Sequence, residues 1–175
     1  MIRVVSNWFR TYGYAEVLDD LVIGAYPLDA SDVGMLSFIR VQRVLNLVED
    51  DEYSRGQRNA VRSALARAGI EEFRLELVDY GGLSPDRLEA AVQQVNGWLD
   101  EGIRSYVHCR AGWQRSAAVA AGVVAVRHNL DIDDALAFVQ QRKPSADPLR
   151  HQRADLRAWW DSRVREQADE AARDY

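Results

Sequence analysis

Tyr106-Val107-His108-Cys109-Arg110-Ala111-Gly112-Trp113-Gln114-Arg115-Ser116 is the stretch whose reading decides the fold. Tyr106-Val107 reads as a buried strand. From Arg115 to His128 the chain is apolar nearly all round (Ala117, Val119, Ala121, Val123, Val126), which predicts a central, fully covered helix. Between strand and helix a cysteine is followed, six positions on, by an arginine. The intervening residues can curl into a ring of backbone N–H groups at a helix N-terminus, and such a nest binds a tetrahedral dianion. Gly112 permits a backbone conformation that a side chain would oppose. The planar fork of Arg115 can hold two phosphate oxygens. Helix N-termini and nearby cations lower a thiol pKa from about 8.5 to roughly 3.5–7.5, and in such a place the thiolate of Cys109 is the expected nucleophile.

Outward from this turn, strands alternate with helices. Leu21-Val22-Ile23-Gly24 is a short apolar strand, and Val44-Leu45-Asn46-Leu47-Val48 is apolar enough to be buried on both faces. Val61, Ala64, Leu65 and Ala68 recur at helical spacing from about Arg55, and Gly69 stops that helix. Phe73, Leu75 and Leu77 alternate as in a strand. Ser84-Pro85-Asp86 opens a helix with a capping serine, and Leu88, Ala91, Val92, Val95, Trp98 and Leu99 form its stripe until Gly102. Asp131 and Asp134 open another helix through Gln141. Asp147-Pro148 opens the last, with Leu149, Leu156, Trp159, Trp160 and Val164 on its apolar side. The sequence thus predicts one α/β domain over residues 1–165, a central mostly parallel sheet flanked by helices, and a fraying polar tail over 166–175. In such sheets ligands bind beyond the carboxyl ends of the strands, where the Cys109 turn lies.

The chain has 175 residues, enough for a sizeable core. No apolar run approaches the roughly 18 residues that cross a bilayer, so stable membrane insertion is not expected. The first residues lack the apolar region and cleavage site of a secretory signal, and no mitochondrial-type targeting segment is evident; the expectation is a cytoplasmic protein. A net charge of −5 argues against nucleic acid as a bulk partner while leaving a small anion site open. Cys109 is the single cysteine, which excludes an internal disulfide framework and a four-cysteine metal site. His108, His128 and His151 are scattered and form no ligand cluster, so neither metal nor other cofactor is expected. Composition carries no signal for an oligomeric state.

With its His-Cys-x5-Arg-Ser pattern, the chain resembles the dual-specificity branch of the protein tyrosine phosphatase superfamily. The resemblance implies a cysteine-dependent phosphomonoesterase acting on a phosphoprotein or phospholipid. It implies Cys109 as nucleophile forming a thiophosphate intermediate, Arg115 binding the phosphate and the transition state, and Ser116 stabilising the departing thiolate. His108 tunes the cysteine, or is simply a satisfied histidine at a strand end. Arg110, Ala111, Gly112, Trp113, Gln114 and Arg115 form the substrate-binding loop. Trp113 either meets the substrate beyond its phosphate or packs on a neighbouring loop. The family places its general acid and base about thirty residues before the cysteine, where Asp79 ends a strand ahead of Gly81-Gly82. Asp86 is the rival, but helix capping explains it.

The resemblance extends further. Asn7-Trp8-Phe9-Arg10, Leu21 to Leu28, Glu49-Asp50-Asp51-Glu52-Tyr53 and Val78-Asp79 occur in the order seen in the mitochondrial phosphatidylglycerophosphate phosphatase-like branch. In that branch the acidic stretch braces the phosphate loop, so Glu52 either pairs with a loop arginine or lies in a solvated turn. Trp113-Gln114 departs from the basic and small residues frequent there. A phosphate-binding pseudophosphatase would lack a catalytic residue, whereas Cys109, Arg115 and Asp79 are all present. A rhodanese-like sulfur transferase would not need Arg115-Ser116, and a thiol-coupled arsenate reductase would recruit further cysteines.

Overall fold

The computed structural model describes residues 4–173; residues 1–3 and the last two of the expected tail lie outside the described residues. Five strands form one sheet in the order β1-β2-β5-β3-β4: β1 (Tyr14–Leu18), β2 (Leu21–Ala25), β3 (Arg43–Asn46), β4 (Glu71–Arg74) and β5 (Ser105–Cys109). β5 pairs in parallel with β2 and β3, and β3 with β4; β1 runs antiparallel to β2 at the edge. The expectation of a mostly parallel sheet therefore holds. Every residue of β5 and β2 is buried, as strands covered on both faces require.

Alternation along the strands divides the interior into two cores. Val22, Val44 and Tyr106 face α1 (Asn7–Tyr12), α2 (Ala30–Phe38) and α3 (Gln57–Ala68). Ile23, Leu45 and Val107 face α4 (Pro85–Asp100), α5 (Arg115–His128), α6 (Ile132–Arg142) and α7 (Arg150–Arg173). α5 spans the predicted residues and is buried from Arg115 through Ala125.

Local chemistry sets most ends. Gly69 closes α3 at φ 67°, where only glycine is unstrained. Asp131 caps α6 by accepting from the Asp134 N–H. Ser84 occupies the cap position of α4, but its hydroxyl makes no capping hydrogen bond there; Pro85 at the first turn sets the entry instead. Three elements fall outside the predicted set: α1, β1 and α2. β4 ends at Arg74, although Leu75 and Leu77 N–H groups continue the ladder to the carbonyls of Asn46 and Leu47. The segment expected to fray after Arg165 is exposed helix up to Arg173.

Candidate active site

The β5–α5 turn is built where two glycines let backbones touch. Gly112 adopts φ 75°, and a Cβ there would lie 2.5 Å from the Gly24 carbonyl carbon. Gly24 has no room either, since its own Cβ would meet the Gly13 carbonyl oxygen at 2.5 Å. Close approach lets the Tyr26 N–H bond the Arg110 carbonyl at 3.1 Å, fixing the loop to the end of β2. On the far side, the Asp147 N–H bonds the Trp113 carbonyl at 2.6 Å.

Cys109 ends β5 and is nearly covered. Its Sγ lies 3.4 Å from Ser116 Oγ in the first turn of α5. The His108 ring is buried beneath, with Nδ1 3.4 Å from the Cys109 carbonyl oxygen. A carbonyl only accepts, so Nδ1 carries the proton. Burial first, and then the nearby Arg58, Arg115 and Arg74 charges, push the His108 pKa down to about 3, so the ring is neutral.

Arg115 is 1 % exposed, and its guanidinium is held on several sides. Nη1 donates to Glu52 Oε2 at 2.8 Å and to the Leu77 carbonyl at 2.9 Å; Nη2 donates to Glu52 Oε1 at 2.7 Å. Burial alone would lower the pKa of this group, but the Glu52 hydrogen bonds and the surrounding negative charge raise it overall. Burial likewise opposes ionisation of Glu52, and the Arg115 hydrogen bonds outweigh it, so the carboxyl titrates below its usual range. Of the two readings of the acidic stretch, the pairing with a loop arginine is the one observed. Asp50–Glu52 forms a 3-10 turn whose Glu52 side chain also accepts from the Glu49 N–H at 2.8 Å.

Asp79 Oδ1 reaches Arg115 Nη2 at 3.1 Å, and the Asp79 N–H is held by Glu49 Oε2 at 3.1 Å. Asp79, Cys109, Arg110, Ala111, Trp113, Gln114 and Arg115 line one cavity of about 350 Å³. Asp86 is exposed in the first turn of α4 and is not among the cavity-lining residues. His108, Gly112 and Ser116 are buried behind the cavity wall.

Trp8, Tyr12 and Tyr80 complete the cavity, and the sequence reading assigned none of them to it. Trp113 is 43 % exposed at the cavity, and its ring packs on Tyr12 of α1 with centroids 5.3 Å apart. The Arg110 guanidinium sits 6.0 Å from the Trp8 ring centroid. α1 carries Trp8 and Tyr12 here because wholly buried Asp32 anchors it. The Asp32 carboxylate accepts from Ser6 N at 2.8 Å, Ser6 Oγ at 2.7 Å and Leu28 N at 2.9 Å. Lys143, also unassigned, is buried with Nζ 2.7 Å from Ser145 Oγ and 3.4 Å from the Tyr12 carbonyl.

No helix among the described residues is long and apolar enough to cross a membrane. The chain is 28 % identical over 127 residues to the human protein named phosphatidylglycerophosphatase and protein-tyrosine phosphatase 1, covering 72 % of this chain and 62 % of that protein. The mouse protein of the same name matches at 27 %, with 65 % of its length covered. The chain thus spans less than two thirds of these relatives. Among solved structures, PTPMT1 in complex with PI(5)P superposes with a TM-score of 0.77 at 24 % identity, over 88 % of this chain and 98 % of that one. Tk-PTP in its active form gives 0.73 at 20 % identity, over 83 % and 95 %. These likenesses bear out the fold. Residues 24–162 match the family described as dual specificity phosphatase, catalytic domain, and with that match over most of its length the chain belongs to the dual specificity phosphatase family.

Proposed function

We propose that this domain hydrolyses phosphate monoesters through a thiophosphate on Cys109, with Asp79 as general acid and then general base. The observation that carries the reading is convergence: Cys109, the Arg115 fork and the Asp79 carboxyl line one cavity at a helix N-terminus. The backbone nest and Arg115 seat the phosphoryl dianion, and its charge draws on the Nη2 donor that Asp79 otherwise holds. The Cys109 thiolate attacks phosphorus, the bond to the leaving oxygen breaks, and Asp79 gives that oxygen its proton. Water then attacks the thiophosphate, Asp79 takes its proton, and inorganic phosphate leaves. Ser116 Oγ donates to the departing sulfur. Glu52 fixes the arginine, and His108 stays neutral and holds the Cys109 carbonyl.

The substrate is a phosphorylated molecule, and a phosphoprotein is the first reading. The cavity walls beyond the loop are aromatic (Trp8, Tyr12, Tyr80, Trp113), with Arg110 as the added cation, which suits an aryl ester better than a polyanionic headgroup. A phospholipid is the second reading. It is favoured by the exposure of Tyr80 and Trp113 at the cavity, and by the name of the human relative. Nucleic acid is not proposed as a partner, given the acidic chain. The free thiol needed at Cys109 suits a reducing compartment, and the cytoplasm is the location proposed.

The test is phosphate release from a phosphotyrosine peptide, a phosphothreonine peptide, phosphatidylglycerophosphate and a phosphoinositide, for wild type and for Cys109→Ser. The serine variant should lose turnover and still bind vanadate, because an alcohol ionises far less than a thiol. Turnover within tenfold of wild type in that variant would sink the covalent route.

A further inference from the structure

The segment that carries Asp79 is not a free loop. Tyr80 sits in the left-handed region at φ 56°, a strained conformation for an aromatic residue, and such strain persists only where surrounding contacts impose it. α7 imposes it. His151 Nε2 lies 3.0 Å from the Tyr80 carbonyl and 3.1 Å from that of Gly81; carbonyls only accept, so Nε2 donates. Gln152, wholly buried, donates from Nε2 to the Gly81 carbonyl at 3.1 Å while its Oε1 accepts from the Leu149 N–H at 3.0 Å. Asp155 Oδ2 accepts from the Leu83 N–H at 2.8 Å. Both polar ends of Gln152 are thus used, one on the Leu149 N–H just ahead of α7 and one on the Asp79 segment. The glycines give this stretch freedom, and three side chains from another element remove it.

We propose that His151, Gln152 and Asp155 act as positioning residues, a clamp from α7 that holds the Asp79 carboxyl at the distance proton transfer requires. The inference rests on the reading of Asp79 as the acid. Its consequence is kinetic: misplacing a catalytic group by about 1 Å can cost about 10²-fold in rate, and here the loss should fall on the proton-transfer step alone. A poor leaving group needs Asp79's proton and a good one barely does.

The experiment compares kcat/KM on phenyl phosphate and p-nitrophenyl phosphate for full-length wild type, Asp79→Asn, Gln152→Ala, Asp155→Ala and Asp155→Asn. Asp155→Ala and Gln152→Ala should lose about tenfold or more on phenyl phosphate and under about threefold on p-nitrophenyl phosphate. Asp155→Asn keeps an oxygen that can accept from Leu83 N–H, so it should recover most of the loss. Asp155 is only half-buried, so its variants carry the test if Gln152→Ala misfolds. Selective loss in Asp79→Asn with equal or no loss in the Asp155→Ala and Gln152→Ala variants would overturn the clamp and leave the acid assignment standing. No selectivity in Asp79→Asn would overturn the acid assignment and the clamp with it.

Discussion

At the residue scale, the pair Glu52–Arg115 has most at stake, because both partners are nearly covered, 7 % and 1 % exposed. Breaking a buried pair from one side costs about 3–5 kcal/mol at most, and here Arg115 would keep the Asp79 carboxylate and the Leu77 carbonyl but lose both Glu52 hydrogen bonds. Glu52→Ala should therefore lower the urea midpoint and reduce kcat/KM together, with Glu52→Gln intermediate because its oxygen still accepts one N–H. His108 makes a pH prediction. Its pKa is about 3 folded against an ordinary 6.5, so between these values the unfolded chain binds the extra proton. Its contribution to stability is complete above about pH 6.5 and is lost on acidification, by at most about 1.4 kcal/mol per pH unit. Urea titrations at pH 7, 6 and 5 should show a steeper fall for wild type than for His108→Asn; parallel slopes would mean the ring is accessible to protons. The Cys109 loop was legible because its members are contiguous in sequence. The Glu49 contact to the Asp79 N–H was not, because a carboxylate bonded to a backbone group thirty residues away leaves no local pattern.

At the element scale, the site depends on how closely β2 and the β5–α5 turn approach. Gly112→Ala adds both a left-handed alanine and a Cβ inside the Gly24 backbone. About 2–4 kcal/mol of destabilisation is expected, with loss of vanadate binding, since the loop must lift off β2. A thermal unfolding temperature unchanged from wild type would show the contact is not tight. α1 offers a contrasting case. Asp32→Ala removes three hydrogen bonds and takes the acceptor from the half-buried Ser6 N–H and hydroxyl and from the Leu28 N–H. The end of α1 should loosen, carrying Trp8 and Tyr12 away from the cavity. KM for a phosphotyrosine peptide should then rise several-fold more than KM for p-nitrophenyl phosphate, which has little to touch beyond the loop. α5 and α4 were readable because each has enough turns to display a stripe. α1 has six residues and β1 five, with one exposed side, too short for either period to register, so the walls of the cavity were hidden while its floor was plain.

At the scale of the whole molecule, the question is where the folded unit ends. We propose the boundary near residue 165. α7 is anchored by Leu156 and Trp159 in the core and by Glu89 of α4, which accepts from Trp159 Nε1 at 2.7 Å and from Arg163. From Val164 onward every described residue of the helix is exposed. A segment that buries nothing contributes only helix propensity and a few surface pairs, each worth about 0.2–0.5 kcal/mol. Ending the chain after Arg165 should therefore move the unfolding temperature by no more than about 2–4 °C, the equivalent of roughly 1 kcal/mol at this size. Activity on p-nitrophenyl phosphate should stay within twofold. Ending it after Ala158 removes the Trp159 ring, which closes on Gly122 of α5, and takes from Glu89 its Trp159 and Arg163 donors. That loss is of the order of 3–5 kcal/mol for the aromatic alone, and it also unseats the turns of α7 that hold the Asp79 segment. The shorter chain should lose activity on phenyl phosphate before it loses the fold, as temperature or urea is raised. If both truncations unfold alike, the exposed end of α7 is part of the stable domain and the boundary lies further along the chain.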